Sequence, residues 1–142
     1  MRGRMSVKKT MTASELWDAI TRATEGLLFH SESDAPLQPY RWAGDTAPSR
    51  KGLLKAEGRG ADEVVEKETL HELFDPVTEE QSFWSDDDRA EAGRYKAVVR
   101  LLEEALREIR VYRVGKVDVD VYVVGKHGSG EWVGVKTHVV ET

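Results

Sequence analysis

The segment VDVDVYVVGK (117–126) decides the fold, because its side chains alternate between two faces with a period of two residues. The segment EWVGVKTHVV (131–140) alternates in the same way, and KHGSG (126–130) between them has the composition of a hairpin loop. VYRV (111–114) precedes both as a further short strand. The side chains that share one face are Val117, Val119, Val121 and Val123, followed by Val133, Val135, Thr137 and Val139. Together these strands predict a C-terminal antiparallel meander.

Upstream of the meander the hydrophobic period changes to that of a helix, from Ser85 to about Arg110. Ser85 is suited to cap this helix, and three aspartates follow in the first turn, where the helix dipole favours anions. The apolar side chains of one helix face are Tyr95, Val98, Val99, Leu102, Ala105, Leu106 and Ile109. A long amphipathic helix followed by a meander predicts an α+β domain in which helices cover a sheet.

The N-terminal half carries weaker signals. A helix is predicted to begin at Thr12 or Ser14 and to end at Gly26. LQPYRW (37–42) is predicted as a short strand, and Pro39 makes it either an edge strand or an interrupted one. The remaining predictions are a polar loop HSESDAP (30–36), a helical turn over 49–56, a short strand EVVEKE (63–68), a helical turn TLHELF (69–74) and a loop DPVTEEQSFWS (75–85).

Length and charge restrict the classes of function. A chain of 142 residues predicts one domain, which we place at residues 12–142 behind a flexible, basic N-terminal extension at 1–11. The net charge of −5 argues against direct binding of nucleic acid and favours a basic protein partner. The absence of cysteine excludes disulfides and thiolate metal sites. No segment approaches the ~20 apolar residues of a membrane span, so we expect a cytoplasmic protein without membrane contact.

Signals of catalysis or metal binding are weak. The histidines His30, His71, His127 and His138 are scattered and lack the spacing of metal ligands. Asp86, Asp87 and Asp88 diverge around a helix and cannot converge on one ion, so they are assigned to the helix start. Asp118 and Asp120 share a strand face about 7 Å apart, as paired carboxylates of a hydrolase do, but a solvated strand face explains them equally well. The sequence therefore predicts no enzyme, no catalytic residue and no cofactor.

Anionic and aromatic groups in loops and at the end of the chain form a candidate partner-binding site. Glu32 lies in a Ser-Glu-Ser loop, and Glu141 and the Thr142 carboxylate follow the last strand. Phe83 and Trp84 are adjacent rings before the long helix, and they either plug the top of the sheet or anchor a protein partner. The candidate residues are Ser31, Glu32, Ser33, Phe83, Trp84, Glu141 and Thr142.

Three segments together resemble the nuclease A inhibitor family: GLLFHSESDAP (26–36), DVYVVGK (120–126) and VVET (139–142). The similarity extends over nearly the whole chain from about Ser14. Members of this family bind and block a sugar-non-specific DNA/RNA endonuclease. The resemblance implies an α/β/α sandwich similar to the plant pathogenesis-related class 1 proteins. It also implies a 1:1 complex with a Mg²⁺-dependent nuclease of the ββα-metal class.

The resemblance further implies a role for each candidate residue. In the complex, the C-terminal carboxylate of Thr142 is directed at the nuclease Mg²⁺, assisted by Glu32 and by an aromatic ring of the Phe83/Trp84 pair. Mg²⁺ prefers oxygen ligands, so a carboxylate on a rigid strand can imitate a phosphate oxygen. Phe83 occupies the position of the family's tryptophan and lacks its indole N–H, with Trp84 one residue later. The alternative function is a binding domain that shares this scaffold and recognises another protein or a small molecule.

Overall fold

The computed structural model describes residues 10–44 and 46–141. Within these ranges, helices and antiparallel strands form an α+β protein, which confirms the predicted class. The helices are α1 (Ala13–Thr24), α2 (Arg50–Ala56), α3 (Leu70–Thr78) and α4 (Asp86–Ala105). The strands are β1 (Leu28–His30), β2 (Asp34–Pro36), β3 (Gln38–Arg41), β4 (Val65–Glu68), β5 (Arg107–Val114), β6 (Asp118–Lys126) and β7 (Trp132–Val140). The extension predicted at residues 1–11 lies outside the described residues apart from Thr10 and Met11.

A five-stranded antiparallel sheet forms the centre of the molecule, in the order β3-β7-β6-β5-β4. Strands β5, β6 and β7 pair with their neighbours in sequence and form the predicted meander. Strand β3 carries Pro39 and lies at one edge of the sheet, as the sequence predicted. Strands β1 and β2 pair with each other as a separate two-stranded hairpin.

One face of the sheet packs against α1, α3 and α4. The predicted row of alternating valines is buried there, except that Val117 precedes β6 and is exposed. Thr12 caps α1 by accepting a hydrogen bond from the Glu15 backbone N–H, and Gly26 leaves the helix with a φ of 69°. The fully buried side chains of this core include Leu16, Ile20, Phe74, Tyr95, Val98, Leu102, Val121 and Val135.

The opposite face of the sheet is covered over part of its area. The short helix α2, which corresponds to the helical turn predicted over 49–56, is capped by Ser49 and packs there with a second cluster of buried side chains. That cluster consists of Tyr40, Trp42, Leu53, Leu54, Tyr112, Val114, Tyr122 and Val124. Beyond it, Asp118, Asp120 and His138 lie on the same face with their side chains partly exposed. We call this uncovered part the open face.

The long helix α4 is shorter than the sequence predicted. It ends at Ala105, Leu106 follows as its C-cap, and β5 begins at Arg107. Leu106 has an extended backbone, and Glu108 has a φ of 53° where the β5–β6 register shifts. Leu106 and Ile109 still pack in the core beside α4, so their apolar positions continued the helical period after the helix itself had ended.

The helix α3 is longer than predicted, because it continues through Pro76 to Thr78. The prediction of a loop over 75–85 was therefore wrong for its first turn. Leu73 and Phe74 are buried on this helix, and the Thr78 hydroxyl donates a hydrogen bond to the Phe74 carbonyl oxygen at 3.0 Å in the turn where proline removes one backbone donor.

The segment 30–36 was predicted as a polar loop and is a hairpin instead. Phe29 and Ala35 are paired, as are His30 and Asp34, so the loop is reduced to residues 31–33. Among the described helices, none is both long and apolar enough to cross a membrane.

Candidate partner-binding site

The β1–β2 hairpin presents the predicted Ser-Glu-Ser segment at its tip. The Ser31 backbone N–H donates a hydrogen bond to the Ser33 carbonyl oxygen at 3.1 Å, and the Ser31 hydroxyl donates to the same oxygen at 2.7 Å. Ser31, Glu32 and Ser33 are all exposed. The tip is therefore a tight turn whose middle residue, Glu32, lies on the surface of the protein.

The base of the hairpin is fixed to α3 and α4. The Phe29 ring packs edge-on against Phe74 at 5.9 Å and against Tyr95 at 5.8 Å, measured between ring centroids. The next residue, His30, lies between two carboxylates: its Nδ1 is 2.8 Å from Asp34, and its Nε2 is 2.6 Å from Glu91 on α4. The hydrogen bond to Asp34 raises the pKa of His30, burial acts against this rise, and Glu91 adds to it.

The end of β7 is fixed next to the hairpin tip. The Val140 backbone N–H donates to the Ser31 hydroxyl at 3.0 Å, and the Glu141 backbone N–H donates to the Val117 carbonyl oxygen at 2.8 Å. The Arg113 guanidinium forms an ion pair with the Glu141 side chain. These bonds bring two predicted segments, the Ser-Glu-Ser turn and the strand end, into one surface. Thr142 lies outside the described residues.

A groove of about 660 Å³ separates this surface from α3. Glutamates and one arginine dominate the charge of its described lining. The lining residues are Phe29, His30, Ser31, Glu32, Glu68, Glu72, Leu73, Pro76, Val77, Arg113, Val139, Val140 and Glu141. We call this feature the acidic groove. Its negative potential suits a basic partner surface.

The aromatic pair before α4 is divided between surface and interior. Phe83 is 77% exposed, whereas Trp84 is half-buried and its backbone N–H donates to the Gln81 carbonyl oxygen at 3.1 Å. Neither ring belongs to the lining of the acidic groove. Phe83 is therefore the ring that is available to a partner in the free protein.

The residues that sequence reasoning missed are those that hold the candidate residues in place. Arg113 contacts Glu141 and, at 3.4 Å, Glu68. We define Arg113, Glu68 and Glu141 as the terminal clamp. The sequence did contain one sign that Arg113 has a special role. It shares the inward face of its strand with Val111, where an apolar side chain is expected.

The alternative carboxylate pair forms a different cluster on the open face. Asp118 and Asp120 share a face, as predicted, and His138 lies between them at 3.4 and 2.8 Å. Arg59 pairs with Asp120 and, through two hydrogen bonds of 2.8 Å, with Glu63. We call these five residues the open-face cluster. The hydrogen bond to Asp120 raises the pKa of His138, burial acts against this rise, and Asp118 adds to it.

This cluster borders a shallow cavity of about 270 Å³ that also contacts Tyr122 and Lys136. Asp120 is paired with the Arg59 guanidinium and lies 2.8 Å from His138 Nδ1, so it already has the partners that a structural carboxylate needs. Within the part of the chain that is described, no group of three or more histidine, aspartate and glutamate side chains is arranged to hold a metal ion.

The fold and this surface define a small α+β domain with a hairpin tip held beside the end of its last strand. The family model described as nuclease A inhibitor-like protein matches residues 14–142. The chain therefore belongs to the nuclease A inhibitor-like family, which confirms the resemblance seen in the sequence. No curated protein matches the sequence.

Proposed function

We propose that this protein inhibits a Mg²⁺-dependent, sugar-non-specific DNA/RNA endonuclease of the ββα-metal class by covering its active site in a 1:1 complex. Membership of the nuclease A inhibitor-like family supports a nuclease as the partner. One structural observation carries the more specific proposal: the Val140–Ser31 hydrogen bond joins the strand end and the Ser-Glu-Ser turn into one surface. In this proposal the protein is an inhibitor and not an enzyme.

Thr142 takes the central role in this proposal, because it is bonded directly to Glu141 and carries the terminal carboxylate. Mg²⁺ is a hard cation that binds oxygen ligands and retains several water molecules. A carboxylate oxygen that replaces one of these waters occupies the place of a substrate phosphate oxygen. It brings no scissile P–O bond, so the nuclease is blocked without any reaction of the inhibitor.

The hydrogen bonds at the strand end support this role energetically. Ordering one residue of a flexible tail on docking costs about 1–2 kcal/mol in backbone entropy. In the free protein, the backbone of Val140 and of Glu141 is already hydrogen-bonded to Ser31 and to Val117. The part of this cost that belongs to these two residues therefore does not weaken binding.

Charge and one exposed ring complete the proposed interface. The acidic groove and the net charge of −5 suit the basic surface with which a nuclease holds nucleic acid. We assign Glu32 to contacts with those basic residues and Phe83 to an apolar anchor, since exposed aromatic rings often dominate binding energy. The likeness to the pathogenesis-related class 1 sandwich and the cytoplasmic location stay predictions from the sequence.

Deletion of Thr142 tests the metal-directed role. We expect inhibition of DNA cleavage by a ββα-metal endonuclease to weaken by at least ~10-fold, which corresponds to ~1.4 kcal/mol. The Kd for the nuclease is measured with Mg²⁺ and after its removal. The full-length protein is expected to bind more tightly with Mg²⁺ than without it. The shortened protein is expected to lose this dependence, because its terminal carboxylate lies on Glu141, one residue short of the metal.

Glu131→Gln is the control, because Glu131 is exposed in the β6–β7 loop, at the other end of the strands. It changes one acidic residue and is expected to leave inhibition unchanged. Equal inhibition by the shortened and full-length proteins would contradict the metal-directed role. If the full-length protein inhibits no nuclease of this class, the protein is instead a binding domain that shares the scaffold.

A further inference from the structure

We propose that Arg113 is a positioning residue that sets the direction in which the chain leaves Glu141, with Glu68 as its second support. This inference rests on the proposed function, because it concerns how Thr142 is presented to a nuclease. Arg113 lies near the end of β5, between the edge strand β4 and the central strand β6, and reaches two other segments of the chain.

The clamp combines a well-shielded arginine with one shielded and one exposed carboxylate. The side chains of Arg113 and Glu68 are 15% and 14% exposed, whereas that of Glu141 is 54% exposed. One terminal nitrogen of the guanidinium donates to Glu68 at 3.4 Å, and the other donates to Glu141. The shielded half therefore anchors the clamp, and the exposed half holds the strand end.

Arginine is suited to this position because its planar group carries several donors in a fixed fork. Burial raises the pKa of Glu68, and the charge of Arg113 acts against this rise. The two glutamates repel each other, and Arg113 provides the positive charge between them. A lysine at this position would supply the charge without the fork.

The geometry explains why the clamp affects the residue that follows. The Cα atom of Glu141 carries a backbone nitrogen, a side chain and a carbonyl carbon. The nitrogen is held by Val117 and the side chain by Arg113, so these two contacts restrict the directions open to the third substituent. Thr142 is attached to that carbonyl carbon. Loss of Arg113 frees the Glu141 side chain and leaves the hydrogen bond to Val117. We therefore expect the direction in which the chain leaves Glu141 to be less restricted.

The experiment compares Arg113→Met and Arg113→Lys with Arg107→Met, an exposed arginine at the other end of the same strand. We expect Arg113→Met to weaken inhibition by about 10-fold, Arg113→Lys to recover part of this loss, and Arg107→Met to have no effect. In protein that lacks Thr142, Arg113→Met should cause less than about a twofold further loss, because the terminal carboxylate then belongs to Glu141 and lies one residue short of the proposed metal ligand.

A second measurement does not need a nuclease. Hydrogen exchange of the Glu141 backbone amide, followed by NMR, is expected to accelerate in Arg113→Met and to stay unchanged in Arg107→Met. If Arg113→Met does not fold, the variant Glu141→Ala is used in its place in both measurements, because it removes the same contact from an exposed position.

The outcomes separate this inference from the proposed function. If the full-length protein inhibits a nuclease but Arg113→Met and Glu141→Ala inhibit equally well, the positioning role is wrong. An equal loss in the presence and absence of Thr142 would also overturn it, because it would indicate a general structural role. If no nuclease is inhibited, the proposed function fails, and faster amide exchange would still support the clamp as the group that fixes the strand end.

Discussion

Two arginines on opposite faces of the sheet each hold two carboxylates, yet the segments that they connect differ. In the terminal clamp, Arg113 holds Glu141, the last described residue. In the open-face cluster, Arg59 holds Asp120, which lies in the central strand β6 and is fixed by its neighbours on both sides. Similar ion pairs therefore have different consequences: one orients a strand end, and the other attaches a loop to the sheet.

This difference predicts that substitutions in the two clusters change different measured quantities. Substitutions in the open-face cluster are expected to change the free energy of unfolding and to leave inhibition intact. Substitutions in the terminal clamp are expected to change inhibition with smaller effects on stability.

Arg59→Met is the largest expected effect on stability. Arg59 is mostly buried and donates to Glu63 and Asp120, and hydrogen bonds between charged groups contribute about 1.5–3 kcal/mol. We expect the free energy of unfolding in urea to fall by about 2 kcal/mol. Nuclease inhibition, measured well below the melting temperature, is expected to remain at the level of the unsubstituted protein.

Comparing the inhibition by Arg59→Met with that by Arg113→Met makes this test specific. Weaker inhibition by folded Arg59→Met would place the open-face cluster in the interface and remove the distinction between the two clusters. A cluster that only attaches a loop has no reason to affect the metal-directed end of the chain.

Phe83→Ala tests the proposed role of this ring as an apolar anchor. Because Phe83 is largely exposed, we expect the free energy of unfolding to change by less than about 0.5 kcal/mol. Inhibition is expected to weaken by about 10-fold if the ring is an anchor. The matched variant is Trp84→Ala, whose half-buried ring is expected to affect stability more than inhibition. The reverse result would make Trp84 the anchor.

The C-terminal half of the fold could be predicted from sequence because its signals are local. Alternating valines specify β6 and β7, and Ser85 marks the start of α4 without reference to any distant residue. The N-terminal half was predicted less well because its short elements depend on distant contacts. The β1–β2 hairpin, for example, is fixed by Phe29 packing on Phe74 and Tyr95.

The residues of the candidate site also differ in whether the sequence could predict them. Glu32 and Glu141 were predicted from their positions in a loop and at a strand end, together with the family resemblance. Arg113 was not, because its partners Glu68 and Glu141 are 45 and 28 residues away and no local pattern connects them. Their pairing follows from the sheet order, which becomes known with the structure.

The smallest expected effect concerns His30, which attaches the Ser-Glu-Ser hairpin to α4. Its pKa in the folded protein is raised above the ordinary value of 6.5, first by Asp34 and further by Glu91, with burial acting in the opposite direction. The stabilising contribution of protonated His30 is therefore complete below pH 6.5 and is lost as the pH rises through the raised pKa. We expect inhibition to weaken across that window by about threefold, the scale of an exposed ion pair.

His71 provides the control, because Glu103 and Asp75 also raise its pKa, but it lies on α3 outside the acidic groove. The nuclease titrates as well, so the informative quantity is the ratio of inhibition constants between variant and unsubstituted inhibitor at each pH. For His30→Gln this ratio is expected to change with pH, because the variant has no charge to lose, whereas for His71→Gln it should stay constant. A constant ratio for both variants would show that the hairpin keeps its position without the His30 ion pairs, and that Phe29 and the Ser31–Val140 hydrogen bond suffice.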